Sequence, residues 1–346
     1  MKNKWVKSAK AAVLAVVIAV SVMPITSLQR QQSQQVQAAQ TAQTKNMALG
    51  DGFYFSDAAA TYQTSNKKVV TVTKNGVVTA VGVGSAKLTI KKSGYTSVYK
   101  IKVTLTGNSS YDKKLKTIAK KLVKGTTSNA AKVKAVHDYI IKNTAYDYDN
   151  YLANQIPKAD YTAVGLLKNK TAVCEGYAKT FSAFMNVLNI PCKLVSGTGN
   201  GGGHAWNMVK LGGKWYHIDV TWDDPTPDQK GYIGYKYFLL SDQEMAKDHT
   251  WTRSDFPKCT ANVDPYISLF GAVCDDRSQL QAQVAKIVKG GSQTVRLALK
   301  TDSGLTEQDV LDEICRQDES LRSLKYEMPV VRGSYTLLTI FYEKQA

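Results

Sequence analysis

Cys174 stands in the stretch Thr171-Ala172-Val173-Cys174-Glu175-Gly176-Tyr177-Ala178, ahead of an apolar stripe at Phe181, Phe184, Met185 and Leu188. Steps of three and four residues put that stripe on one helical face, so Cys174 falls where a helix begins. Unpaired N–H groups and a partial positive charge at a helix start favour thiolate and lower a cysteine pKa by one to several units from about 8.5. Cys174 is therefore a candidate nucleophile. His204 follows a glycine-rich run, Gly197-Thr198-Gly199-Asn200-Gly201-Gly202-Gly203, too rich in glycine to hold a regular element. The β-type runs from His204 to Leu211 and from Lys214 to Trp222, joined by Gly212-Gly213, read as a hairpin. A two-residue turn sets Leu211 opposite Lys214, Trp206 opposite Asp219 and His204 opposite Thr221. His204 and Asp219 are then diagonal neighbours on one face, roughly 7–8 Å apart. Asp219 can fix the tautomer of His204, which can share a proton with Cys174 if the helix start packs on this sheet. His217, on the same face but nearer the turn, is the second choice for the base.

Each of these residues has a structural explanation when taken singly: a core cysteine, a satisfied histidine, a capping aspartate. The combination is what points to acyl transfer. The elements around it follow from pattern. Leu115, Ile118, Ala119 and Leu122 form one helical stripe within residues 111–143, and Val133, Val136, His137, Ile140 and Ile141 form a second, which makes His137 a buried, hydrogen-bonded residue. Tyr146 to Tyr161 is aromatic and acidic, contains Pro157, and reads as a long loop that walls a substrate site. Pro191 to Val195 is a short strand in which Cys192 serves as a small hydrophobe. Trp206 and Trp222 are candidates for the walls of a cleft, with core packing as the alternative role.

A chain of 346 residues exceeds one ordinary domain. Lys2, Lys4, Lys7 and Lys10 precede an apolar segment, Ala11 to Val22, and Val36-Gln37-Ala38 resembles a cleavage site, so residues 1–38 read as a secretory signal peptide. The apolar segment is shorter than the ~20 residues of a membrane span, and no span is expected after cleavage. Residues 39–46 read as a polar linker. Runs at Val69–Val72, Gly76–Val81, Ala86–Ile90 and Val98–Val103, separated by glycine turns, imply a small antiparallel sandwich over residues 47–106. Beyond residues 107–262, the tail (265–346) reads as strand Ile267–Val273, helix Ser278–Val288, strand Thr294–Leu299, helix Thr306–Cys315 and strands Leu324–Val331 and Tyr335–Tyr342. Thr306-Glu307-Gln308-Asp309 has the look of a capping box. This small α+β domain carries no catalytic constellation.

The formal charge is +17, of which the four leader lysines and Arg30 account for five. A basic secreted protein is drawn to polyanions, and anionic cell-wall polymers fit that setting better than nucleic acid. No zinc-finger spacing, aromatic-basic RNA signature or phosphate loop supports a nucleic-acid role or a cofactor. The five cysteines (174, 192, 259, 274 and 315) form no CxxC pair and no four-ligand metal cluster.

The segments AVCEGYAKTFSAFMNVLNIPCKLVSG and GHAWNMVKLGGKWYHIDVTWDDP, with the flanking His137-Asp138-Tyr139-Ile140 and Asn143-Thr144-Ala145-Tyr146-Asp147, resemble the transglutaminase-like superfamily as found in secreted bacterial proteins. That resemblance implies a papain-like α+β core and assigns nucleophile, base and orienting acid to Cys174, His204 and Asp219. It also suggests Tyr161 as an oxyanion donor, with the Cys174 backbone N–H as the second. TSNKKVVTVTKNGVVTAVGVGSAKLTI resembles the bacterial immunoglobulin-like domain, group 2, which implies a surface spacer. The expected whole is a sandwich, a papain-like core and an α+β tail. The expected function is a secreted cysteine peptidase or amidase acting on peptide or protein amides. A cross-linking transglutaminase and a non-catalytic wall-binding protein are the alternatives.

Overall fold

The computed structural model describes residues 43–344 apart from 56, 58, 94, 230–231, 261–265 and 327–328. The first unit contains β1 (Gln43–Ala48), β2 (Gly52–Tyr54), β3 (Thr61–Thr64), β4 (Val70–Val72), β5 (Val77–Ala80), β6 (Gly84–Lys92) and β7 (Tyr95–Thr104). They form two sheets, β1-β7-β6-β3 and β2-β5-β4, which share an apolar cluster of Met47, Val70, Val78, Leu88, Ile101 and Val103. Alternation drives this arrangement, because β6 buries Ala86, Leu88 and Ile90 while Ser85 and Lys87 face solvent. Residues 43–46 are not linker. They begin β1, which pairs parallel with β7 at Gln43↔Tyr99 through Ala48↔Thr104, so the unit is not wholly antiparallel. The strand gains its place from main-chain hydrogen bonds and buries only Met47, so polar composition conceals it. The expected leader, 1–38, and linker residues 39–42 lie outside the described residues.

The central unit runs α1 (Ser109–Leu122), α2 (Asn129–Lys142), β8 (Ala145–Tyr146), α3 (Tyr148–Leu152), a 3-10 turn (Lys158–Tyr161), α4 (Ala163–Asn169), β9 (Thr171–Ala172) and α5 (Cys174–Val187). It continues through β10 (Cys192–Gly199), β11 (Gly202–Leu211), β12 (Lys214–Ile218), β13 (Phe238–Leu240), α6 (Asp242–Met245) and β14 (His249–Thr250). Leu115, Ala119, Val133, Val136 and Ile140 close over Tyr177, Phe181 and Phe184 of α5 to form the main core. The sheet order is β13-β12-β11-β10-β14, and every neighbouring pair is antiparallel.

Two local expectations change here. The supposed loop 146–161 contains β8, α3 and the 3-10 turn, with β8 held parallel to β9 at Tyr146↔Ala172. The glycine run is mostly strand: Gly197 pairs with His204 and Gly199 with Gly202. A Cβ on Gly197 would meet the Thr250 carbonyl oxygen at 2.0 Å, and one on Gly199 the Trp222 ring at 2.6 Å. These glycines permit close packing rather than interrupting the sheet.

The tail contains α7 (Ile267–Phe270), β15 (Ala272–Cys274), α8 (Arg277–Lys289), β16 (Thr294–Lys300), α9 (Glu307–Gln317), β17 (Leu321–Tyr326), β18 (Val330–Arg332) and β19 (Tyr335–Lys344). The sheet runs β15-β16-β19-β17 with β18 also on β19, and α8 and α9 cover it through Leu280, Val284, Val310 and Ile314. The expected strand 267–273 is a helical turn followed by three strand residues, an ambiguity inherent in short apolar runs. Thr306 and Asp309 form a capping box. The tail is joined to the central core: Tyr266, Ala298 and Leu337 belong to the same buried cluster as α5. The guanidinium of Arg332 donates to the carbonyls of Tyr235 (3.1 Å) and Phe238 (2.7 Å). Arg332→Met leaves those carbonyls without these donors, and should destabilise the protein by about 1–3 kcal/mol in urea unfolding. An unchanged midpoint would show that the tail is not anchored there.

Candidate functional site

The first residue of α5 is Cys174, and the residue before it, Val173, has no side chain able to cap the helix. The other long helices differ: Asn108, Ser128, Asp276 and Thr306 cap α1, α2, α8 and α9 with side-chain oxygens. The first-turn N–H groups of α5 thus lack a side-chain acceptor at the cap, an arrangement suited to an anion beside Cys174. Gly176 is required for close approach, since a Cβ there would lie 2.2 Å from the Asp160 carbonyl oxygen. That same carbonyl accepts the Val173 N–H at 3.1 Å. Further along the helix, the buried ammonium of Lys179 bridges Glu175 (2.8 Å) and Asp51 (2.9 Å), joining the first unit to α5.

Asn207 ties the sheet to this helix. Its amide donates to the Ala178 carbonyl at 3.1 Å and to Ser182 Oγ at 2.9 Å, three residues from His204 on the same strand. His204 Nε2 hydrogen-bonds Asp219 Oδ2 at 2.6 Å, leaving Nδ1 as the other ring nitrogen. Burial disfavours a charged His204, but the Asp219 carboxylate and the nearby Cys174 outweigh it, and its pKa is pushed up to about 10. Asp219 is fully buried. Desolvation pushes its pKa up, yet His204 and His249 hold it well below the usual carboxylate range. Its Oδ1 accepts the backbone N–H groups of Thr221 (3.0 Å) and Trp222 (3.2 Å). The hairpin register follows the sequence reading from Leu211 opposite Lys214 to Asn207 opposite Ile218, but β12 ends there, so the expected strand pairs Trp206–Asp219 and His204–Thr221 do not form and Asp219 lies in the turn that follows.

His249 was missed by sequence reasoning. Its Nε2 lies 3.2 Å from Asp219 Oδ2 and its Nδ1 2.6 Å from Asp248 Oδ1. Tyr237 in turn donates to Asp248 Oδ2 at 2.7 Å. No local pattern marks His249, because its position depends on β14 pairing with the glycine end of β10, Gly199↔His249. His217 does not stand in for His204. Trp206 donates its indole N–H to His217 Nδ1 at 2.9 Å, so the proton is on Nε2, which bonds Asp242 at 2.9 Å. Burial pushes the His217 pKa down to about 4 despite Asp242.

Trp206 is a core residue rather than a cleft wall, at 1 % exposure; its N–H finds His217, which is what allows it to be buried. Trp222 remains half-buried, with its ring 5.1 Å from His204 and 4.2 Å from His249. Tyr161 lies close enough to Cys174 for burial and that thiol to raise the phenol pKa. Tyr146 is raised for the same reasons, burial first, and both phenols retain their protons as possible donors. His137 is buried between Asp138 (3.0 Å) and Asp223 (3.1 Å).

Two groups bring possible metal ligands together among the described residues: His204, Asp219 and His249, and His217, Asp242 and Cys259. In both, the carboxylate already takes imidazole hydrogen bonds, and burial holds the Cys259 thiol protonated, unlike the thiolate a metal selects.

Residues 116–220, which contain Cys174, His204 and Asp219, match the model of the transglutaminase-like superfamily. The mouse kyphoscoliosis peptidase is 25 % identical over 145 residues, covering 37 % of this chain and 22 % of that protein. The human kyphoscoliosis peptidase is 28 % identical over 120 residues, covering 30 % and 18 %. This chain thus spans less than a quarter of the curated relatives it matches. A solved structure described as a TGase aligns at 22 % identity and TM-score 0.29, covering 40 % of this chain and 35 % of that one.

The two ring environments have opposite pH signatures. His204, raised above its unfolded value of about 6.5, contributes stability that is complete below pH 6.5 and lost as pH rises through about 10. His217, lowered to about 4, contributes stability that is complete above 6.5 and lost as pH falls through 4. Histidine NMR titration should record these two midpoints. Cys174→Ala should lower the His204 midpoint, since the thiol helps to raise it, and leave that of His217 in place.

Proposed function

We propose that this protein is a secreted cysteine-dependent enzyme that hydrolyses peptide or side-chain amides. The supporting observation is His204 held by buried Asp219, together with Cys174, near enough to help raise the His204 pKa, at the side-chain-uncapped start of α5. In this reading Cys174 Sγ attacks the amide carbonyl carbon, and the Cys174 backbone N–H with Tyr161 or Tyr146 receives the developing oxyanion. The C–N bond then breaks. His204 gives a proton to the departing nitrogen, leaving a thioester on Cys174. Water, losing a proton to His204, attacks the thioester and releases a carboxylic acid and the thiol. Asp219 holds the ring in the tautomer that both proton transfers need. Trp222 serves as the aromatic wall beside His204.

The proposal includes a leader at residues 1–38 that directs export and an immunoglobulin-like role for the first unit, as a spacer at the cell surface. The resemblance of residues 116–220 to the transglutaminase-like superfamily supports the acyl-transfer class. The same chemistry with a primary amine as acceptor would cross-link instead of hydrolyse, and the experiment is built to separate them. Peptide libraries incubated with and without a primary amine, then read by mass spectrometry, should show new carboxyl termini or deamidated side chains and no amine adducts. Adducts as the main product would replace hydrolysis with transamidation. Cys174→Ala should reduce turnover by at least about 10³-fold, and Asp219→Asn by about 10³–10⁴-fold. Wild-type turnover from Cys174→Ala would end the cysteine mechanism altogether.

A further inference from the structure

Strand pairing sets a row of cations on the outer face of the four-stranded sheet of the first unit. Ala86, Leu88 and Ile90 of β6 and Ile101 and Val103 of β7 point into the core, so the residues between them point out. Lys87 and Lys91 of β6 and Lys100 and Lys102 of β7 are all exposed on that outer face. Lys87 lies directly opposite Lys100, Lys102 opposite Ser85 and Lys91 opposite Thr96. At about 3.4 Å per residue the four ammonium groups span roughly 20 Å along the strands.

Among the described residues no carboxylate forms an ion pair with these four lysines. Residues 43–106 contain nine lysines and two acids, Asp51 and Asp57. Asp51 is bonded to Lys179 and Asp57 to Lys92, which belongs to the other face of β6. Like charges directly opposite each other on paired strands destabilise a sheet. Lysines commonly guard edge strands against aggregation, but β6 and β7 are the two central strands here, so that purpose does not account for them. Around the cations, the edge strands present Thr44, Asn46, Thr61 and Gln63, all exposed. The face is cationic at its centre and hydroxyl- and amide-bearing at its margins.

We propose that this face binds a linear phosphodiester-linked polyol, with its phosphates following the strand direction. Same-face residues repeat at about 7 Å, a spacing suited to consecutive charges on an extended chain. Lysine ammonium groups receive phosphates as point charges, and the flanking amides and hydroxyls suit the polyol. Nucleic acid is disfavoured because no stacking ring is found among the described side chains of this face, Tyr62 and Tyr99 packing against the apolar cluster. The surface is separate from the Cys174 site, and its occupancy does not depend on the acyl-transfer reading.

The test uses the full chain carrying Cys174→Ala, titrated with synthetic poly(glycerol phosphate) across a salt series. The parent should bind, more weakly as salt rises. Lys87→Gln/Lys100→Gln/Lys102→Gln should weaken binding at least about tenfold at low salt and flatten the log–log salt slope by about 2, at ~0.7 per lost contact. Its melting temperature should not fall, because cross-strand repulsion has been removed. Lys113→Gln/Lys116→Gln/Lys120→Gln on exposed positions of α1 makes the same charge change and should stay within about twofold of the parent. Equal losses from the two triple variants, or no binding by the parent, would overturn the proposal. Tighter binding of a single-stranded oligonucleotide of equal charge would overturn the choice of ligand in favour of nucleic acid.

Discussion

A buried carboxylate is tolerable only when its oxygens are filled, and Asp219 has four hydrogen-bonding partners drawn from three parts of the chain. His204 comes from β11, His249 from β14, and the Thr221 and Trp222 N–H groups from the turn that follows β12. Removing any one leaves a larger share of the desolvation cost uncompensated. The requirement works in both directions: the carboxylate fixes the His204 ring, and the ring helps keep the carboxylate ionised. Much of the surrounding structure can be read as what brings those partners together. Glycines at 197 and 199 allow β10 to pass beneath Thr250 and Trp222, and β14 then carries His249 to the carboxylate.

The sequence made part of this legible because the relevant physics was local. A two-residue turn sets hairpin register, so counting residues gave the pairing as far as Asn207 and Ile218, and Asp219, one residue past the end of β12, still meets His204. The apolar stripe of α5 located the cysteine at a helix start in the same way. His249 was hidden because a two-residue strand has no periodicity of its own. Trp206 looked like a cleft residue because its type is common at binding sites; the hydrogen bond that buries it depends on His217, which is eleven residues away in sequence. Strand β1 was hidden for another reason, since Met47 is its one buried side chain and its place comes from main-chain pairing.

The histidines show how much environment decides what a residue type can do. His204 and His217 lie on the two strands of one hairpin and each bonds a carboxylate, yet one is pushed up to about 10 and the other down to about 4. The difference lies in their second contacts. His204 bonds a fully buried carboxylate and is raised further by the nearby thiol, whereas His217 accepts an indole N–H at one nitrogen and has Arg253 among the groups that lower it. His137, between Asp138 and Asp223, completes the contrast: it is raised although fully buried, and it serves packing between α2 and the segment after the hairpin.

Lys179 gives the molecule a load path. Its ammonium holds Asp51 in the first unit with one contact and Glu175, the residue after Cys174, with another. A pull on the first unit is therefore carried into α5 through a charged contact beside the thiol, as well as through the covalent connection at α1. Tension between the two units would be felt at the start of α5, at the residue next to Cys174.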